Sequence, residues 1–310
     1  GYNLSPVLWR KMPGSRSAGR VQSVAVKLVY EKEIEIENFE PDRFFKILIN
    51  GKINNDPIET SITDFEGNKV DKMFFKEEDQ AQSAITKIKN QSYSIKAIDE
   101  RNVSRKPKAP FNTSMLQQTA NSQINFSASQ TMTVAQGLYM GVDIGLETVA
   151  LITYMRTDSI SLSDDSISIL RDKIKSEYGE QYIPKDPIIY KTKKKSAQEA
   201  HEATRPTDIN IHPESIKDSL TDEQYKLYNL IWRRTISSQM VNAENKLSTI
   251  RISNEENSIS LKATIGKLIF DGYKKAYNIQ DDDAEEAFSI LDSVKVGDPF
   301  SIDSIESVES

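Results

Sequence analysis

The order of its hydrophobic patterns constrains this chain most. Stretches of strand-like alternation fall in residues 43–70, return briefly at Tyr93 to Ile98, and resume from Leu247 onward. Between Asn112 and Asn242 the apolar residues recur instead at helical spacing. Strands, then helices, then strands is the order expected when a helical module is inserted into a β-rich one. The proline-bearing stretch Lys106-Pro107-Lys108-Ala109-Pro110 reads as the boundary between them.

Individual elements follow from local chemistry. Tyr2, Leu4, Val7, Leu8 and Trp9 form a short helix-like cluster before a Pro13-Gly14 break, and a helix of roughly residues 18–37 follows with Val21, Val24, Ala25, Leu28 and Val29 as its apolar face. Phe44 to Ile49 and Ile58 to Phe65 read as strands, with Asn50-Gly51 as a hairpin signal. A helix is expected over Lys76 to Lys89. Further helices open at Thr113 and Met132. Ser163-Asp164-Asp165 caps another that buries Ile167, Leu170 and Ile174 and stops at Gly179, and a longer one spans Asp222 to Asn242 with Leu227, Ile231, Trp232 and Ile236 inward. Four strands are expected after it, at Leu247 to Ile252, Ile259 to Thr264, Lys267 to Tyr273 and Val294 to Ile302.

The 310 residues suffice for a sizeable core and for two or three domains, and the 37% hydrophobic and 28% charged fractions are those of a soluble protein. No apolar run approaches the ~20 residues of a membrane span and no signal peptide opens the chain, so a cytoplasmic home and no membrane partner are expected. The absence of cysteine excludes disulfides and cysteine-based zinc sites within these residues. A net charge of -6 sits poorly with a nucleic-acid partner, but the acid is concentrated in Asp281 to Glu286 and the tail to Glu309. Base gathers in Arg101 to Lys108, in Lys191 to Lys195, and in Arg10, Lys11, Arg16 and Arg20. Asp281 to Asp283 lack a preceding apolar strand and read as a solvated loop rather than a metal site. The chain begins Gly1-Tyr2-Asn3-Leu4, as if in the middle of something, and an excised fragment is expected.

The chemistry concentrates in Leu151-Ile152-Thr153-Tyr154-Met155-Arg156-Thr157-Asp158-Ser159, where an apolar run gives way to a tyrosine, an arginine, an aspartate and three hydroxyls. In an extended conformation the period of two places Tyr154 and Arg156 on one face. Free tyrosine has a pKa of ~10 and is a poor nucleophile near neutrality unless a cation stabilises the phenolate. Arg156 could do that and also hold a phosphate oxygen as charge develops, with Asp158 orienting the guanidinium. The same residues also fit a tyrosine at a strand end beside a surface ion pair.

Only two histidines occur. His212 precedes Pro213 in a loop, whereas His201 lies in Gln198-Glu199-Ala200-His201-Glu202-Ala203-Thr204-Arg205-Pro206, among acids and an arginine. A zinc-peptidase helix would need a second histidine at the position of Arg205, which excludes that class. A protonated His201 beside Glu199 or Glu202 could contact a phosphate.

As a whole, the Leu151 to Ser159 nonapeptide resembles the active-site segment of type IA DNA topoisomerases, the bacterial topoisomerase I family. Three more stretches resemble that family, in its order. Leu4 to Lys11 with Ser17-Ala18-Gly19-Arg20-Val21-Gln22-Ser23-Val24-Ala25 is similar to its single-strand DNA segment. Pro110 to Gln118 is similar to its Pro-Phe-Thr-Thr-Ser-Thr-Leu-Gln-Gln, with Asn112 departing. Gln198 to Pro206 is similar to its Gln-Glu-Ala-His-Glu-Ala-Ile-Arg-Pro, with Thr204 replacing isoleucine. The family often carries basic residues where this chain has Gln123, Ser129, Gln130 and Gly137, which weakens the case for DNA contacts from those two helices.

The resemblance implies a mixed α and β, multidomain fold: a helical base segment over 1–39, a strand-rich arch over 40–111 and 246–310, and a helical domain over 112–245 inserted into that arch and carrying the nucleophile. It implies that Tyr154 forms a 5′-phosphotyrosyl link to one DNA strand, assisted by Arg156 and Asp158, with His201 positioning the DNA. Arg16, Arg20, Gln22, Ser159, Glu202 and Arg205 inherit the implied DNA contacts. The implied partner is DNA, single-stranded or negatively supercoiled, relaxed without ATP by a monomer at the bacterial nucleoid. The implied cofactor is Mg²⁺, held by an N-terminal Toprim domain not recognisable in this chain, and these residues alone are expected to bind single-stranded DNA weakly and to be catalytically incomplete. A tyrosine recombinase or type IB enzyme would gather several arginines and a His-x-x-Arg, whereas His201 and Arg205 are four apart. A non-catalytic clamp would instead stack Tyr154 on a base.

Overall fold

The computed structural model describes residues 2–15, 19–145, 147–191, 202–278 and 294–310. In chain order the elements are helices α1 (Ser5–Lys11) and α2 (Arg20–Glu37), strands β1 (Phe45–Ile53) and β2 (Asp56–Phe65), a two-residue stub β3 (Asn68–Lys69), helix α3 (Glu78–Lys89) and strand β4 (Tyr93–Arg105). Then come helices α4 (Thr113–Ile124) and α5 (Ala128–Met140), a small hairpin of β5 (Val142–Asp143) and β6 (Thr148–Val149), and helices α6 (Asp164–Glu177) and α7 (Asp222–Ser237). Strands β7 (Ala243–Asn254), β8 (Ile259–Phe270) and β9 (Pro299–Glu309) follow. The chain divides into two compact units, one of Gly1–Leu48, Lys69–Asn90 and Ile305–Ser310, the other of Ile49–Asn68 and Gln91–Ser304.

The smaller unit holds α1, α2 and α3. Helix α3 has acids in its first turn and lysines in its last, as the helix dipole favours, and buries Ala81, Ala84, Ile85 and Ile88. Helix α2 departs from expectation. Its apolar stripe, including Val21, Val24, Leu28 and Val29, is solvent-exposed along its whole length. Among the described residues of its own unit nothing covers that stripe.

The strands pair in the order β1, β9, β4, β7, β8, β2, and β1 pairs again with β2, so the strand order closes on itself. Alternate residues such as Ile49, Ile53, Ile58, Ile95, Ile250, Ile252, Leu261 and Phe300 are buried, as period-two alternation requires. Asn50-Gly51 is not the turn. It lies inside β1, and the turn is Asn54-Asn55, whose φ values of 52° and 76° suit a tight antiparallel hairpin. Gly51 answers a packing demand: a Cβ there would lie 2.3 Å from the Ser301 carbonyl oxygen and 2.5 Å from the Phe300 ring.

Two further expectations change. Strand β4 does not stop at Ile98 but runs to Arg105, pairing with β7 down to Arg105 opposite Ala243. The basic run there is thus largely strand. The two strands expected over 259–264 and 267–273 are one, β8, continuous through Gly266. Strands β4, β7 and β8 thereby form a ribbon that leads from the barrel to the helical part of the unit.

That helical part is built on side-chain caps. Asn112 Oδ1 accepts from Met115 N–H at 2.9 Å to start α4, Ser127 Oγ accepts from Gln130 N–H at 3.1 Å to start α5, and Thr221 with Gln224 forms a capping box on α7. The Ser127 cap moves the start of α5 four residues ahead of Met132. Helix α6 has the Ser163 cap, the three buried residues and the Gly179 stop (φ 103°) that its sequence announces. Helix α7 ends at Ser237, short of the expected Asn242. Leu116, Leu138, Leu151, Ile152, Met155, Leu170, Ile174, Leu227, Ile231, Trp232 and Ile236 form one core, joined by Ala276 from the 3-10 turn after β8. The hydrophobic anchor of the tyrosine segment is therefore the centre of this domain.

Candidate active site

Leu151 and Ile152 are fully buried, and beyond them the segment alternates: Met155, Thr157 and Ser159 are buried, while Tyr154, Arg156 and Asp158 are exposed. The extended geometry thus puts Tyr154 and Arg156 on one face, with 40% of the tyrosine open to solvent. The Tyr139 ring, at the end of α5, meets the Tyr154 ring edge-on at 5.4 Å between centroids, 62° between planes. That contact limits the rotamers of the tyrosine side chain. The Arg156 and Asp158 side chains make no ion pair with each other among the described residues, so they share a face without forming a bridge.

The segment is not part of a regular sheet, and two threonines hold it. Thr153 donates its N–H to the Arg205 carbonyl at 2.9 Å, and its hydroxyl donates to the Ala203 carbonyl at 2.8 Å while accepting the Arg205 N–H at 3.0 Å. Ile152 bridges Pro206, and the Thr207 N–H donates to the Leu151 carbonyl at 3.1 Å. On the far side of Arg156, Thr113 at the start of α4 donates its N–H to the Thr157 carbonyl at 2.9 Å. Its hydroxyl accepts the Thr157 N–H at 2.9 Å and donates to the Met155 carbonyl at 2.8 Å. The Thr153 and Thr157 amides, on either side of Tyr154 and Arg156, therefore both find partners.

Beyond Thr157 a hydroxyl ladder continues the anchoring. The Ser159 N–H donates to Thr157 Oγ1 at 3.0 Å, the Ser161 N–H to Ser159 Oγ at 3.1 Å, and Ser161 Oγ to the Tyr190 carbonyl at 3.1 Å. Ser159 is thus buried and its hydroxyl turned into the protein. Tyr190 in turn donates its phenol toward the carbonyls of Pro107 and Ser238, at 3.3 and 3.2 Å, on the two chain segments entering and leaving the helical domain. Burial pushes that phenol up to about 12.

Glu202 and Arg205 are engaged with one another. Arg205 Nε donates to Glu202 Oε2 at 2.8 Å and Nη1 to the Pro206 carbonyl at 2.8 Å, while the other carboxylate oxygen of Glu202 accepts the Ser163 N–H at 2.6 Å, ahead of α6. Burial disfavours the charge on Glu202, but the Ser163 hydrogen bond and the Arg205 guanidinium outweigh it and hold the carboxyl below its ordinary value. Both groups lie next to the backbone that aligns Thr153. Directly beside Arg205, Thr204 is fully buried and its hydroxyl has no partner among the described residues.

Arg16, His201 and the basic run from Thr192 lie outside the described residues, as do Asp281 to Asp283. Arg20 opens α2, and Gln22 there accepts the Gly19 N–H at 3.1 Å; both belong to the smaller unit. The structure thus gathers Tyr154, Arg156, Asp158, Ser159, Glu202 and Arg205 into one unit. Among the described residues no group of three or more histidines, aspartates or glutamates could hold a metal ion, so the expected Mg²⁺ finds no ligand set there. Thr113, Thr153 and Tyr139 were not singled out as site residues by sequence patterning. Their threonine and tyrosine identities are ordinary, and only tertiary pairing gives them a place at the site.

The sequence model of the DNA topoisomerase family matches residues 1–310. DNA topoisomerase 1 of Rickettsia felis is 44% identical over 96% of this chain, and DNA topoisomerase 1 of Helicobacter pylori is 37% identical over 99% of it. The chain spans 39% and 40% of the length of those two relatives. The solved full-length topoisomerase I of Thermotoga maritima superposes with a TM-score of 0.77 at 32% identity, covering 100% of this chain and 48% of that one. No helix among the described residues is long and apolar enough to cross a membrane. With a match over its whole length, the chain belongs to the type IA DNA topoisomerase family.

Proposed function

We propose that this chain carries the nucleophile of a DNA strand-passage reaction. Tyr154 Oη attacks a backbone phosphorus in single-stranded DNA: the Oη–P bond forms, the P–O3′ bond breaks, the phenol loses its proton and the leaving 3′ oxygen gains one. The 5′ end is then held as a phosphotyrosyl ester while another strand passes, and reversal of the same step reseals the backbone. Because the ester conserves the phosphodiester linkage, resealing needs no ATP. The net result is relaxation of negatively supercoiled DNA.

The observation that carries this reading is the pairing of exposed Tyr154 and Arg156 on the open face of a segment whose other face is buried and held by hydrogen bonds through Thr113 and Thr153. Arg156 stabilises the phosphorane-like charge and the phenolate. Replacement of such a donor costs about 10²–10³ in rate. Asp158 contributes negative charge that orients the guanidinium as DNA arrives. Glu202 and Arg205, committed to each other, act by holding the backbone beside Thr153, and Ser159 by anchoring the chain beyond Asp158. His201, Arg16, Arg20 and Gln22 are assigned to the DNA strand itself. Mg²⁺ is assigned to residues of the whole protein outside this chain. The proposed domains are a nucleophile-bearing body over 112–245, an arch made of 40–111 and 246–310, and a base segment over 1–39. The protein works as a monomer at the bacterial nucleoid.

A Tyr154→Phe substitution tests the reading. Binding to a single-stranded oligonucleotide should persist within about threefold, because the ring still stacks, while every covalent adduct disappears. A clamp without chemistry would form no adduct even with tyrosine present.

A further inference from the structure

Thr113 stands out because neither its hydroxyl nor its N–H serves the helix it begins. The cap of α4 is Asn112, whose side chain takes the Met115 N–H at 2.9 Å, so the Thr113 hydroxyl is released from capping duty. It turns to the tyrosine segment, where it accepts the Thr157 N–H at 2.9 Å and donates to the Met155 carbonyl at 2.8 Å, with the Thr157 carbonyl as a second acceptor at 3.1 Å. The Thr113 N–H, an orphan donor at most helix starts, goes to that same Thr157 carbonyl at 2.9 Å.

The atoms gripped are the carbonyl before Arg156 and the amide and carbonyl after it. The peptide planes on both sides of Arg156 are therefore set by one residue from another element, 43 positions away in sequence (156 minus 113). Thr153 performs the matching task one residue before Tyr154, using its N–H and its hydroxyl on Ala203 and Arg205. The pair brackets the Tyr154-Met155-Arg156 tripeptide, whose central Met155 is fully buried. Such a bracket leaves the two side chains on the exposed face while denying the backbone freedom to follow them. That is the arrangement an electrostatic stabiliser needs, since its worth depends on being in place before charge develops.

We propose that Thr113 is a positioning residue for the cleavage step, acting through the backbone of Arg156 rather than by touching DNA. The inference rests on the reading of Tyr154 as nucleophile. Because its effect is on alignment in the transition state, loss of the hydroxyl lowers kcat for strand cleavage and leaves substrate binding unchanged. A misplacement on the order of 1 Å can cost about a hundredfold in rate, which sets the scale.

The experiment uses the longest natural polypeptide that carries these 310 residues, with Thr113→Val, Thr113→Ser, Arg156→Ala and the Thr113→Val/Arg156→Ala double variant. The probe is a short single-stranded oligonucleotide, and adduct formation is followed under single-turnover conditions. Thr113→Val should cleave about ten- to a hundredfold more slowly with oligonucleotide affinity within twofold, and Thr113→Ser should return to within about threefold of the parent. In the Arg156→Ala background, Thr113→Val should cost less than about threefold more, because the residue it positions is gone. Equal cleavage by a folded Thr113→Val protein overturns the proposal, as does an equal defect in Thr113→Ser, a loss confined to affinity, or full additivity in the double variant. Should Thr113→Val fail to fold, the valine arms drop out and the serine variant carries the test, its retained cleavage supporting the hydroxyl's role and its loss refuting it. Absence of adduct in the parent protein would instead defeat the nucleophile reading, and this inference with it.

Discussion

Thr204 offers the most direct physical test of the site's construction. It has no exposed surface, its N–H donates to the Phe111 carbonyl at 2.8 Å, and its hydroxyl has no partner among the described residues. A buried hydroxyl left without a partner costs about 1–3 kcal/mol, whereas valine fills the same volume with a methyl that has nothing to lose. Thr204→Val should therefore stabilise the larger unit by about 1–2 kcal/mol. The resemblance agrees, because the similar family segment carries isoleucine at this place. Urea unfolding with and without the substitution would show a higher midpoint at unchanged slope, and melting should rise by roughly 2–4 °C per kcal/mol. Neutrality, or destabilisation of about 0.5 kcal/mol or more at unchanged slope, would refute the reasoning by showing that the hydroxyl is satisfied.

Other consequences follow from single contacts. Gly51→Ala should destabilise the barrel by at least about 2 kcal/mol, since its Cβ would lie 2.3 Å from a backbone oxygen that cannot step aside, and urea unfolding would register the loss. Glu202 has a folded-state pKa below its unfolded value, so the stability it lends is present above about pH 4.5 and drains away as pH falls through the lower folded value; Glu202→Gln should flatten that acid limb in a pH series of melts. Tyr190 titrates in the other direction: its folded phenol is pushed up to about 12, so its contribution is intact below about pH 10 and is lost as pH rises toward that value. Tyr190→Phe should cost about 1 kcal/mol at neutral pH, remove part of the alkaline loss, and speed amide exchange in the linker around Pro107.

Much of the helical domain is legible from its sequence because its signals are local. Ser163 and Gly179 bound α6, the hydroxyl by accepting an amide and the glycine by adopting φ 103°, and neither needs tertiary information. The face shared by Tyr154 and Arg156 follows from period two for the same reason. Asn50-Gly51 misleads because the glycine answers to Phe300 and Ser301, some 250 residues away, while Asn54-Asn55 supplies the left-handed turn without any glycine. The second half of β4 is polar and largely exposed, so no alternation marks it, and only its ladder with β7 makes it a strand. The exposed stripe of α2 shows the converse case, a helical pattern plainly written that no described residue of its unit covers. The threonines that bracket Tyr154 and Arg156 could not be picked out, because a hydroxyl's partner forty or fifty residues away leaves no local trace.

The central claim is that one phenol oxygen takes over the 5′ end of a broken strand. A single-stranded oligonucleotide labelled at its 5′ end in one sample and its 3′ end in another, mixed with the full-length protein and stopped with detergent, reads this directly. The 3′-labelled piece should stay covalently on the protein at Tyr154 while the 5′-labelled piece is released with a free 3′-hydroxyl. Retention of the 5′ label, or an adduct that survives Tyr154→Phe, would contradict it.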